Sequence, residues 1–157
     1  MNTKKLIKSL LLVMFLGCIQ NSFSQTVDEN LWGTWELQSG TQTSSGNNQT
    51  RSTTEIQPQA LLKQKTGLPE DLFLLLYFFD NNIGICSTNG SIEFLNINDK
   101  GTFYTEGDQL AVTLNRTEPV TYQFTYSVKD DELTLHYNTL GTGEVALERN
   151  LIFKLKK

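Results

Sequence analysis

Residues 120–137 read VTYQFTYSVKDDELTLHY, and the spacing of their apolar side chains decides the fold class. Tyr122, Phe124, Tyr126 and Val128 alternate with Gln123, Thr125 and Ser127. This period of two places one set on a buried face and the other in water, as in a half-buried strand. KDDE (129–132) supplies carboxylates that favour a tight turn. LTLHY (133–137) then returns with Leu133, Leu135 and Tyr137 on one side. The segment is therefore a hairpin with an apolar inner face.

The same pattern extends outward in both directions. GTFYT (101–105), a turn at EGD and QLAVTL (109–114) form a second hairpin with Leu110, Val112 and Leu114 on one face. DNNIG (80–84) joins LLLYFF (74–79) to IGICS (83–87), and SIEFLNI (91–97) follows Gly90. The last run, VALERNLIFKLKK (145–157), sets Leu147, Arg149, Leu151, Phe153 and Leu155 on one face. Short strands in such numbers must remove their edges by closing or by stacking. The expected fold is all-β, a single antiparallel up-and-down barrel of about 8–10 strands, counted from these runs.

SGTQTSSGNNQTRSTTE (39–55) is too polar to pack and predicts a long, flexible first loop over residues 39–56. In the following QPQALLKQKTG, Pro58 and Gly67 stand where a short helix would start and stop. LPEDLFLLLYFF (68–79) fits either a buried strand or a helical turn leading into one.

The N-terminus has a different character. Lys4, Lys5 and Lys8 precede an apolar core, LLLVMFLGCI (10–19), and Ser22 and Ser24 fit a signal peptidase site. The core is shorter than the ~20 residues that span a bilayer. Residues 1–24 therefore read as a signal peptide cleaved before Gln25, with 25–157 as the barrel domain, exported to the periplasm or secreted. FLGC (15–18) offers an alternative, a lipoprotein anchored through Cys18. Cleavage before Gln25 leaves 10 basic and 17 acidic residues, a net charge of −7. Such a surface repels nucleic-acid phosphates and anionic lipid. Cys86 is then the sole cysteine, so no internal disulfide forms, and its place in a strand makes it a small buried apolar residue.

The first strand carries Gly33-Thr34-Trp35, and the last carries Arg149 on an otherwise apolar face. With the leader and the hairpin series, this combination resembles the calycin superfamily, and most of all its small secreted bacterial lipocalin-like domains. The resemblance covers most of residues 30–157. It implies a structural motif of Gly33, Trp35 and Arg149, with Trp35 closing one barrel end and the arginine packed over the tryptophan. Fatty-acid-binding proteins in the same superfamily imply a different role for Arg149, gripping a ligand carboxylate. There a tyrosine two residues on assists. Here that position is Leu151, and Tyr122, Tyr126 or Tyr137 from a neighbouring strand could replace the phenol.

Catalytic machinery is hard to assemble from this chain. His136, the single histidine, falls on the face opposite Leu135 and Tyr137 and so points to solvent. It has no partner to activate a nucleophile, and no His/Cys cluster has zinc spacing. DNNIG and NINDKG share residues with calcium loops, but Asp, Asn and Gly serve hairpin turns equally well. The expectation is a non-catalytic binding protein for a small hydrophobic or amphipathic ligand, using no metal or cofactor. Its ligand-binding residues would be Tyr122, Phe124, Tyr126, Tyr137, Arg149 and Phe153, with a cavity at the end away from Trp35. The alternative is an envelope protein-interaction module, an inhibitor or accessory subunit with a filled barrel.

Overall fold

In a computed structural model that describes residues 26–45, 51–58, 72–88, 97–140 and 146–157, the alternating runs become an antiparallel barrel. A 3-10 turn (Glu29–Leu31) leads into β1 (Gly33–Ser45), followed by β2 (Arg51–Ile56), β3 (Phe73–Phe79) and β4 (Asn82–Ser87). β5 (Asp99–Glu106), β6 (Gln109–Leu114), β7 (Val120–Lys129), β8 (Glu132–Leu140) and β9 (Ala146–Leu155) complete the order. Eight strands close the barrel: β3 to β9 pair in sequence, and β1 joins β3 to β9. Closure removes the free edges that a meander of this length would otherwise expose.

β1 carries the closure because it changes partner along its length. Gly33–Glu36 pair with Phe78–Leu75 of β3, whereas Gly40–Ser45 pair with Ile56–Arg51 of β2. On its other edge β1 follows β9 from Trp35 to Ser45, with an irregularity between Leu37 and Ser39 that makes Gln38 a bulge. One extra residue shifts the face on which every later side chain lies. Trp35 and Leu37 point inward below the bulge, opposite Leu155 and Phe153; Gly40 and Gln42 point inward above it, opposite Leu151 and Arg149.

The segment expected to be a flexible loop, residues 39–56, is thus largely strand: Ser39–Ser45 and Arg51–Ile56 form the β1–β2 hairpin, while residues 46–50 lie outside the described set. Its polarity was misleading because β2 does not line the barrel and needs no apolar face, and its threonines favour extended backbone. The ambiguous run 68–79 resolves to β3 from Phe73. Its continuous hydrophobicity reflects a second irregularity, at Leu74, and burial on both faces from Phe73 to Leu76. Most of the expected helix from Pro58 to Gly67, like the leader with its cleavage before Gln25 or lipidation at Cys18, lies outside the described residues. Among the described residues, no helix is long and apolar enough to cross a membrane.

The two ends of the barrel differ. At the base, β3–β4, β5–β6 and β7–β8 are joined by two-residue turns whose first members, Asp80, Gly107 and Asp130, have φ of 55°, 60° and 56°. That left-handed start matches the twist of paired strands. Residues 26–32 form a strap across the base. Thr26 exchanges hydrogen bonds with Thr105, the Trp35 indole N–H donates to the Leu31 carbonyl at 2.7 Å, and the Tyr126 hydroxyl donates to Asp28 Oδ2 at 2.9 Å. Trp35 and Leu31 are fully buried there, beneath the strap. At the opposite rim, β1, β4, β6 and β8 end and β3, β5, β7 and β9 begin.

Candidate functional site

Among the described residues, one buried charge lies inside the barrel, near the far rim. Arg149 is 4% exposed on the inner face of β9, opposite Tyr137 of β8 and Gln42 of β1. Its Nε–H donates to Gln42 Oε1 at 2.7 Å, and an Nη1–H donates to the Tyr137 hydroxyl oxygen. Burying a guanidinium is costly without such partners. The Tyr137 phenol, itself 3% exposed, also lies beside the cation, with Arg149 Cζ 5.6 Å from its ring centre. A phenol that accepts from a cation becomes a stronger donor through its own O–H. A guanidinium and a phenol are groups of the kind that hold a carboxylate.

This arrangement corrects the expectation that Arg149 packs over Trp35. Trp35 is paired with Leu155, six residues further along β9. At ~3.3 Å per residue, that separates the two by roughly 20 Å along the strand. The phenol beside Arg149 is that of Tyr137, on β8.

An aromatic wall descends from the pair. The Tyr137 ring meets Phe124 edge-on at 5.0 Å, Phe124 lies 6.2 Å from Tyr122, and Phe73 meets Tyr122 edge-on at 5.2 Å. Of the six residues expected to bind ligand, Tyr122, Phe124, Tyr137 and Arg149 are thus contiguous. The other two sit lower. Phe153 is fully buried beside Leu37 and Leu133, and Tyr126 turns its hydroxyl to the strap. Burial, aided by the hydrogen bond and charge of Asp28, pushes the Tyr126 phenol up to about 12.

Gln42 and Phe73 belong to the group although sequence analysis did not single them out. Gln42 lies in the segment whose polarity predicts a loop, and its inward direction depends on the Gln38 bulge, which no residue pattern announces. Phe73 lay in the ambiguous apolar run; its position among aromatics at the start of β3 was the available signal.

Below the wall, the described side chains pack closely. The space among Phe73, Leu76, Phe78, Ile83, Ile85, Leu110, Val112, Phe124 and Leu135 does not admit a water-sized sphere. Outside the barrel, a groove of about 390 Å³ lies between β1, β2 and β9, bordered by Thr41, Glu55, Thr134, Asn150 and Ile152. His136 sits on the outer face between Thr125 and Asn150. Cys86 is buried on β4. Among the described residues, no group of three or more His, Cys, Asp or Glu is placed to hold a metal.

The chain matches no protein-family model, no curated protein and no solved structure at the level of significance applied.

Proposed function

We propose that this is an exported, non-catalytic binding protein of the lipocalin-like kind, taking a small amphipathic molecule with an acidic head. The observation that carries the reading is the inward pair of Arg149 and Tyr137 above the wall of Phe73, Tyr122 and Phe124. The head group would sit on the guanidinium and phenol, and the apolar part would lie on the rings. Close packing below the rings limits that part to a short chain or a ring, since a long acyl chain needs depth that the packing of Phe73, Leu76 and Phe78 denies. Export follows from the pattern of Lys4 to Ser24.

Native mass spectrometry of protein purified from cells expressing the full chain, before and after solvent extraction, tests this reading. The expected result is a discrete acidic adduct, lost on extraction and depleted at least tenfold in Arg149→Gln. No adduct under gentle desolvation, or equal adduct in the variant, removes Arg149 from ligand binding.

One observation favours a second reading, the protein-interaction module with a filled barrel. Trp32, Tyr77 and Phe79 are 40%, 45% and 59% exposed near the base, with the Trp32 and Phe79 rings 6.0 Å apart. Exposed aromatics of this kind anchor protein interfaces. A bare protein mass, together with crosslinks to an envelope protein that Phe79→Ser abolishes, would select it.

A further inference from the structure

β2 is the one strand of the described sheet that leaves an edge open. It pairs with β1 through Arg51–Ile56, and among the described residues no strand pairs with its other side. Arg51, Ser52, Thr53, Thr54 and Glu55 are all exposed. An edge strand presents a row of backbone donors and acceptors to any extended chain of suitable chemistry. Natural proteins commonly blunt such an edge with like charges, a proline or a bulge. From Arg51 to Glu55 there is no proline, and the two charges have opposite sign.

Those charges stand in mirror positions. Reversed, the sequence Arg51-Ser52-Thr53-Thr54-Glu55 lays Glu55 against Arg51, Thr54 against Ser52 and Thr53 against itself. A two-fold axis through Thr53 therefore pairs β2 with its copy in antiparallel register, with an Arg–Glu pair at each end and small hydroxyl side chains between. Opposite charges directly across a strand pair stabilise it, and threonine–threonine and threonine–serine pairs are likewise favourable. Arg51 and Glu55 lie on the same face of β2, since they are four residues apart. Arg51 already reaches across that face to Glu148 at 3.0 Å. Both partners of that contact are well exposed, so little is lost if Arg51 also engages a second chain.

We propose that the protein self-associates through β2, in an isologous dimer that joins the β1–β2 hairpins of two barrels into one continuous sheet. The occupant of the open edge is a second copy of this chain. A partner with like charges at either end would be repelled, whereas the copy presents the complementary order. Five opposed residue pairs make a smaller contact than a standard interface, which places association in the micromolar range or weaker.

The test is sedimentation velocity on protein purified from cells expressing the full chain, from about 5 to 500 µM. Wild type is expected to pass from monomer to dimer across this range. Arg51→Glu sets Glu against Glu at both ends, and Glu55→Arg sets Arg against Arg. Each single variant should raise the dimer dissociation constant roughly tenfold or more. An equimolar mixture of the two restores opposite charges at both ends, so a mixed dimer should reappear. Far-UV circular dichroism of each variant confirms that the fold is retained. A wild type that stays monomeric at 500 µM overturns the proposal, as does a dimer that neither charge reversal weakens or a mixture that fails to recombine.

Discussion

Two tyrosines with similar sequence surroundings do different work, and the difference lies in what their hydroxyls meet. Tyr137 accepts from Arg149 inside the rim, whereas Tyr126 donates to Asp28 in the strap. Tyr137→Phe keeps the ring that touches Phe124 and deletes one hydrogen-bonding group. It should cost about 1 kcal/mol in stability, measured by urea unfolding, and weaken retention of an acidic ligand roughly tenfold. Equal retention would separate the phenol from the site. Tyr126 makes a prediction about pH. Its folded value, about 12, lies above the ordinary 10, so the unfolded chain loses this proton first. Stability from this group is fully present below pH 10 and falls as pH rises from 10 toward 12, by about 2 kcal/mol. The alkaline loss should be shallower in Tyr126→Phe; parallel curves for the two proteins would show that the phenol is not the responsible group. Arg149 and Tyr137 could be recognised in sequence because a charge and a phenol fall on apolar faces of alternating strands. Their true neighbour, Gln42, could not, since its direction is set by a bulge.

At the scale of single elements, two backbone features can be tested directly. A Cβ added at Gly101 would lie 2.0 Å from the Thr113 carbonyl oxygen and 3.0 Å from the Leu114 Cα. β5 and β6 could then not hold their register, and Gly101→Ala should lose ~3 kcal/mol or more, seen as a lower urea midpoint. A loss under 1 kcal/mol would mean that the strands adjust there. Gly33 has a related constraint: its φ of +132° strains any side chain, and an added Cβ would approach Leu155 Cδ1 to 2.7 Å. The glycine of the Gly-X-Trp motif thus yields to a side chain on β9. Deleting Gln38 tests the bulge. Its deletion removes the extra residue, so Ser39 would follow Leu37 in a regular ladder, and Gly40 and Gln42 would stay on the inner face opposite Leu151 and Arg149. The expected outcome is a retained near-ultraviolet circular dichroism spectrum; its loss would show that closure of the barrel needs the bulge itself. The hairpins β5–β6 and β7–β8 were legible because local alternation and turn residues specify them. The β1–β2 hairpin was not, because β2 does not line the barrel and so carries no apolar alternation to announce it.

On the scale of the whole molecule, β1 and β9 form the seam that closes the barrel, and they come from opposite ends of the domain. Closing such a contact costs chain entropy before burial repays any of it, so the seam should make unfolding cooperative. Amides from Thr41 to Ser45 that bond to β9 should exchange with solvent only through global unfolding. A common rate matching the global stability from urea is the expected result; faster exchange along the seam would show that the barrel opens there first. The closed topology was legible in outline, since so many short strands must dispose of their edges. That the described side chains pack closely below Phe124 was not, because inward-facing rings serve a dry core and a cavity equally well in sequence. The difference between the two rims also bears on how the chain can be lengthened. At the base, three turns have only two residues each, and an inserted residue would disturb strands on both sides. Between β6 and β7, by contrast, Asn115 to Pro119 form a longer connection, secured by Asn115 to the Lys100 carbonyl and by Arg116 to Asp99 at 2.6 Å. A reporter peptide spliced in after Thr117 would leave both anchors in place, so this rim is where new sequence can be added while the frame beneath stays unaltered.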